Sequence, residues 1–264
     1  MDLVYVISGF GVGILVGLTG VGGGSLMTPL LTLFFGVSPT VAVGTDLAFA
    51  SITKVAGTFA HRYRGTVRWT IVKHLSIGAL PAAVLATLAL KYYGALDQKI
   101  SEIIRYSIAG SVMLTVIALL FRARMQAWIN AHPDRQLQGT RLIAATIFAG
   151  AVLGTLVTVS SIGAGAIGAT ILVLLYPRLS PAEIAGTDIA YAVALTAVAA
   201  FGHWWLGSIN WSLLAMLLLG SVPGITLGSL AARAVPERVL RGLLATILTV
   251  VAVKLSGVTA LLAP

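Results

Sequence analysis

Apolar residues run along this chain in blocks near twenty residues long, without alternation, separated by short polar punctuation. The blocks are 3–18, 25–36, 40–60, 70–90, 102–121, 141–158, 165–177, 182–202, 212–232 and 239–262. A helix needs roughly 20 apolar residues to cross a bilayer, whereas a barrel strand needs about ten that alternate. The pattern therefore predicts helices. Blocks 25–36 and 165–177 are too short to cross, and 3–18 and 141–158 are marginal. A glycine-rich break precedes each short block: GLTGVGGGS at 17–25 and SSIGAGAIG at 160–168. Glycine costs a helix about 1 kcal/mol relative to alanine, so each break is expected to interrupt the helix.

The pattern also repeats. At a shift of 142 residues, Ser38-Pro39 meets Ser180-Pro181 and Gly44-Thr45-Asp46 meets Gly186-Thr187-Asp188. His61, Gly65, Trp69, Gly78 and Pro81 meet His203, Gly207, Trp211, Gly220 and Pro223. Ungapped comparison of 38–81 with 180–223 gives 14 identities in 44 positions. Shared Asp, His, Trp and Pro are not a product of apolar bias, so the chain reads as a duplication, a common feature of secondary transporters. The expected organisation is a first repeat over 1–121 (hairpin 3–36, helices 40–60, 70–90 and 102–121) and a basic linker over 122–140. A second repeat follows over 141–264 (hairpin 141–177, helices 182–202, 212–232 and 239–262).

Lysine and arginine positions choose between two topologies. If each broken region crosses the membrane, the halves are parallel and the two sides carry balanced charge. If each folds back as a re-entrant hairpin, the halves are inverted. Arg62, Arg64, Arg68, Lys73, Arg122, Arg124, Arg135, Arg141, Arg178, Arg233, Arg238 and Arg241 then share one side, against Lys91, Lys99 and Arg105 on the other. Such asymmetry marks the cytoplasmic face. The expectation is an all-α polytopic protein of the inner membrane with inverted repeats, both termini outside and the central loop cytoplasmic.

Composition agrees and narrows the function. Of 264 residues, 58% are hydrophobic and 9% charged, against about 25% charged in a soluble domain; mean hydropathy is +1.00. The net charge of +9 is accounted for by loop charge, with no basic soluble domain to bind nucleic acid. MDLVYVISGF lacks the basic start of a signal peptide. Cysteine is absent, which excludes disulfides, thiolate metal sites and a Cys nucleophile. The histidines show no metal-binding spacing. No cofactor, metal or enzymatic activity is expected.

Candidate chemistry lies inside the apolar blocks. Gly13/Gly17 and Gly150/Gly154 have the spacing of helix-packing pairs. The denser Gly20, Gly22, Gly23 and Gly24 instead suggest backbone N–H groups open to an anion at a half-helix start. Thr19, Ser25, Ser160 and Ser161 add hydroxyls, and Gly163 and Gly165 mark the second tip. Asp46 and Asp188 each fall seven residues beyond a helix-starting proline, about 10 Å along a helix. With Thr45 and Thr187 they read equally as coupling or scaffold groups. Lys54 can balance a substrate's charge, or snorkel to the interface; Thr196 stands at its equivalent. Glu183 completes a capping box with Ser180. His61 and His203 read as packing or headgroup contacts near the interface.

The run G-x3-G-L-T-G-V-G-G-G-S-L-x-x-P at 13–29 resembles the signature of the TauE/SafE sulfite exporter family, also called the sulfonate uptake permease family. The Ser-Pro…Gly-Thr-Asp segments and basic central loop resemble it too. The second half departs, with IGAGAIG and no proline close behind. The resemblance implies a carrier for small sulfur-containing anions such as sulfite or an organosulfonate. A passive anion channel is the alternative. The expected partners are the anion, membrane lipid and a coupling proton or Na⁺; a homodimer is compatible with the chain.

Overall fold

The computed structural model describes residues 2–19, 24–63, 65–94, 97–231 and 237–255. Ten α-helices follow in order among the described residues. They are α1 (Asp2–Thr19), α2 (Gly24–Phe34), α3 (Pro39–Tyr63), α4 (Trp69–Tyr92), α5 (Gln98–Ala131), α6 (Gly139–Ser160), α7 (Ala166–Leu175), α8 (Pro181–Trp205), α9 (Trp211–Ala231) and α10 (Glu237–Leu255). Five are long and apolar enough to cross a membrane: α4, α5, α6, α8 and, over Trp211–Gly228, α9. The protein is an all-helical, multi-pass membrane protein.

Local chemistry sets the helix ends. Ser180 caps α8 with the reciprocal Glu183 bond of a capping box, and Pro181 occupies the first turn. Asp97 caps α5 by accepting from the Lys99 N–H. The far end of α5 differs from expectation. The helix does not stop where the apolar block ends at 121 but runs on to Ala131. Charged residues do not end a helix by themselves. No glycine or proline intervenes before Pro133, and the residue before a proline is the one pushed out of helical geometry. The basic linker is thus partly helical, and its irregular portion shrinks to a short 3₁₀ turn at Pro133–Arg135 and its flanks.

Each broken region folds back on itself. The rings of Tyr5 at the start of α1 and Phe35 after α2 lie 4.8 Å apart. The Thr146 hydroxyl near the start of α6 lies 2.8 Å from that of Tyr176 after α7. The legs are unequal. At 1.5 Å per residue, the 22 residues of α6 reach about 33 Å, and the 10 of α7 return about 15 Å.

The tightest packing joins helices of different repeats. α1 lies along α9, and α6 lies along α4. At a shift of 142 residues α9 corresponds to α4 and α1 to α6, so the two pairings are counterparts. Backbones touch in both. A Cβ on Gly150 or Gly154 would overlap the carbonyl oxygens of Leu75 or Ala79, and one on Gly78 that of Ile147. In the other pair, Gly9 and Gly13 face Leu217 and Ser221, while Gly220, Gly224 and Gly228 face Val6, Phe10 and Ile14. The packing glycines on α1 therefore include Gly9 with the expected Gly13. In lipid there is no hydrophobic gain from joining apolar helices, so such close contact supplies the attraction.

Substituting leucine at Gly78 or Gly220 should force these pairs apart and cost about 1–3 kcal/mol. Alanine at Gly110 or Gly242, where an added Cβ meets nothing within 4 Å, should be neutral. Thermal melts of detergent-purified variants check both.

Candidate functional site

The site forms where the hairpins meet α3 and α8, which pack on each other. The threonines of the duplicated Gly-Thr-Asp motif set the register. Thr187 Oγ1 on α8 accepts the backbone N–H of Arg68, the residue before α4, at 3.0 Å. Thr45 Oγ1 on α3 accepts the N–H of Asn210, the residue before α9, at 3.1 Å. Arg68 and Asn210 are themselves 142 residues apart. Each repeat thus caps a helix start in the other, satisfying a donor that has no partner within its own helix. The Arg68 side chain also forms an ion pair with Glu183. Thr45 and Thr187 occupy scaffold positions here.

The aspartates that follow these threonines are both buried, yet their surroundings differ. Asp46 Oδ2 accepts two hydrogen bonds from Thr28 on α2, at 2.6 Å from the hydroxyl and 3.2 Å from the backbone N–H. Ser161 stands close enough to interact with the same carboxyl. Among the described residues Asp188 has no hydrogen bond or ion pair, and its Oδ1 is without a partner. Its Oδ1 lies against the Cα of Gly168 in the first turn of α7, where a Cβ would collide with it. Thr170, which stands in α7 where Thr28 stands in α2, turns its hydroxyl back to the Ala166 carbonyl at 2.7 Å.

Lys54 is buried on α3 and reaches across to the other repeat. Its Nζ donates to the Ala164 carbonyl in the second tip at 2.9 Å. It does not snorkel out. It interacts through space with both Asp46 and Asp188 but forms an ion pair with neither. One N–H of the ammonium is used on Ala164, which leaves two for a ligand. Thr196, its equivalent, bonds its own helix at Ala192.

The second tip is described in full. Ser161 ends α6 in the left-handed region at φ +59°, the sole non-glycine residue with positive φ among those described. Gly163 and Gly165 follow at φ +129° and +139°, where a side chain is strained. The turn leaves the N–H groups of Ala166 and Ile167 without an acceptor among the described residues, whereas those of Gly168 and Ala169 return to Gly163 and Gly165. The Tyr191 hydroxyl also has no partner among the described residues, and the Ser161 hydroxyl has only the nearby Asp46 carboxyl to interact with. The donors of α7's first turn, Tyr191 and Lys54 therefore stand ready for an acceptor in a region closed to solvent.

Sequence-based candidates divide accordingly. Ser160 is committed to its own helix end, donating to the Leu156 carbonyl and accepting from the Ile162 N–H. Ser161 stands instead beside the Asp46 carboxyl. Gly163 packs against Val157, Leu156 and Leu153. Gly20, Gly22 and Gly23 lie outside the described residues, as do the side chains of Thr19 and Ser25; Gly24 begins α2. His203 takes the packing role and not that of a headgroup contact. It is wholly buried, with Nε2 2.9 Å from the Thr158 carbonyl and Nδ1 2.8 Å from Ser208 Oγ. A carbonyl only accepts, so Nε2 carries the proton and the ring serves to tie α8 to α6. The His61 side chain lies outside the described residues. Tyr191 and Thr28 are additions that the residue pattern did not single out. The spacing of Tyr191, three residues past Asp188 on one helical face, is the signal that could have found it.

A family model described as "Sulfite exporter TauE/SafE" matches residues 5–255. The chain belongs to this family. The "Probable membrane transporter protein YjnA" of Bacillus subtilis (strain 168) is 36% identical over 255 residues, covering 97% of this chain and all of the relative. The "Probable membrane transporter protein YdhB" of the same organism is 27% identical, covering 88% of this chain and 91% of its own length. A "Probable membrane transporter protein" of Xylella fastidiosa (strain Temecula1 / ATCC 700964) is 29% identical over 87% of this chain and 84% of its own. No solved structure gives a significant match. By its family, the protein is a membrane transporter.

Thr28→Val should leave Asp46 with one bond where it had two. A lost hydrogen bond to a buried charged group costs about 1.5–3 kcal/mol, so the melting temperature should drop clearly. Thr170→Val, which removes only a bond within its own helix, should change it little.

Proposed function

We propose that this member of the family is a secondary transporter. It moves a small sulfur-containing anion, sulfite or an organosulfonate, across the inner membrane by alternating access. The observation that carries this reading is the convergence of unpartnered donors at the second hairpin tip beside Lys54. Tyr191 and the first amides of α7 lack protein acceptors among the described residues. A helix start with free N–H groups favours negative charge, and a nearby ammonium adds to it. Both repeats contribute, Lys54 from the first and the tip from the second.

The inverted arrangement is supported by the contacts between helix starts. Arg68 and Glu183 pair, which brings the beginning of α4 beside the beginning of α8. Parallel halves would hold those ends on opposite faces of the membrane. The Asn210 bond to Thr45 argues in the same way for α9 and α3. The charge asymmetry supports a cytoplasmic central loop and external termini. Single cysteines test it in this cysteine-free chain. An impermeant thiol reagent applied outside cells should label Gly207→Cys and spare Arg178→Cys; the reverse would sink the inverted arrangement.

Transport is tested in proteoliposomes with sulfite, sulfate, thiosulfate, sulfoacetate and taurine. At least one should show counterflow, and Lys54→Gln should cut its rate by tenfold or more with normal protein yield. Unchanged rates in that variant would remove Lys54 from the site. A flux that answers a proton or sodium gradient only through its electrical effect would point to a channel.

A further inference from the structure

Two aspartates of one duplicated motif sit at equivalent positions on equivalent helices, yet only one is held. Asp46 is fixed to α2 by two bonds from Thr28. Asp188 is buried, its Oδ1 has no hydrogen-bond partner, and among the described residues it receives no hydrogen bond and makes no ion pair. An ionised carboxylate without hydrogen bonds is costly away from water, so its charge rests on nearby cations acting through space. The groups that face it are Lys54 from α3 and Arg122 from α5, with Tyr191 from its own helix. No charged group of α4, α6 or α7 acts on it. Lys54 also faces Asp46, so one ammonium serves two carboxylates and, in the reading above, the substrate.

We propose that Asp188 is the protonation site coupled to anion binding, that Lys54 is shared between Asp188 and the anion, and that Asp46 is a scaffold residue. This rests on the chain being an anion carrier. An anion that engages Lys54 takes away the positive field that sustains the Asp188 carboxylate. The carboxylate oxygen then takes a proton from the water on the open side. One negative charge enters the chamber and one is neutralised, so the buried charge is unchanged. On the opposite face the anion leaves, the proton returns to water and Asp188 turns back to Lys54. The cycle moves one proton with each monovalent anion. A metal cation does not suit this place. Hard cations need a shell of oxygens, no cluster of acidic or histidine ligands exists among the described residues, and Lys54 and Arg122 would repel one.

The test is the pH dependence of binding 2-hydroxyethanesulfonate, whose sulfonate stays ionised throughout, so any pH effect belongs to the protein. Detergent-purified wild type should bind about tenfold more tightly for each unit of falling pH while Asp188 is ionised. In lightly buffered solution it should take up about one proton per anion bound. Asp188→Asn should bind at the low-pH affinity with a flat profile. In vesicles it should retain counterflow but lose accumulation driven by a proton gradient. Asp46→Asn should keep the pH slope with a lowered melting temperature. A sloping profile in Asp188→Asn, a flat one in Asp46→Asn, or no proton uptake by wild type would each overturn the assignment. The uptake measurement needs no variant to fold. Wild type that binds neither this sulfonate, sulfite nor sulfate would instead remove the anion-carrier reading, and this coupling with it.

Discussion

The arrangement depends on two reciprocal backbone caps. The N–H groups of Arg68 and Asn210 precede helices and have no acceptor within them; threonines of the opposite repeat supply one. At membrane depth an orphaned donor costs several kcal/mol, so neither helix start can leave its threonine without replacement. Each threonine is followed directly by the aspartate of its motif. One helical step is a rotation of about 100°, so holding the threonine against the neighbouring repeat fixes where the aspartate projects. The caps therefore set the architecture and aim the carboxyls together.

Glycine serves two distinct demands in this framework, and the neighbours decide which. On α4, α6 and α9, and at Gly9 and Gly13 of α1, glycines lie against another helix's carbonyls. They let α1 meet α9 and α6 meet α4 at a distance only bare backbone allows. At Gly163 and Gly165 the demand is positive φ, which lets the chain reverse between α6 and α7 while the first amides of α7 stay open. At Gly168 the demand is space alone, since a side chain there would displace the Asp188 carboxyl. The long legs are positioned by rigid backbone contact, and the tips they carry inherit that rigidity.

Much of this was legible along the chain, for physical reasons. Ser-Pro before α3 and α8, and glycines at the breaks, are strong local signals, so those helix ends fall within a few residues of the apolar blocks. Asp46, Asp188 and Lys54 stood out because charge in an apolar block is expensive and rarely idle. The end of α5 was hidden because hydropathy falls at Arg122 while helix propensity does not. The difference between Ser160 and Ser161 was hidden because adjacent hydroxyls are equivalent in sequence. Only the αL turn at Ser161 directs one into its own helix and the other toward Asp46. Tyr191 carries a hydroxyl that any helix could turn to a neighbour, and its lack of a partner among the described residues is a property of the packed environment.

The divergence between the repeats gives the duplication its functional sense. Strict symmetry would place two lysines against two equally held aspartates, leaving little reason for any one charge to change during a cycle. Here the second lysine is a threonine bonded to its own helix. The second Asp–Thr bond is also missing, because Thr170 turns inward to Ala166. Both departures weaken the hold on Asp188 while leaving the cap at Thr187 intact. A carboxyl whose position is fixed by its helix but whose charge is not fixed by a bonded partner can gain and lose a proton without dismantling the fold. Asp46 cannot do so freely, since its carboxylate is part of what holds α2 to α3. The scaffold is thus kept symmetric where it bears packing and made asymmetric where charge must change.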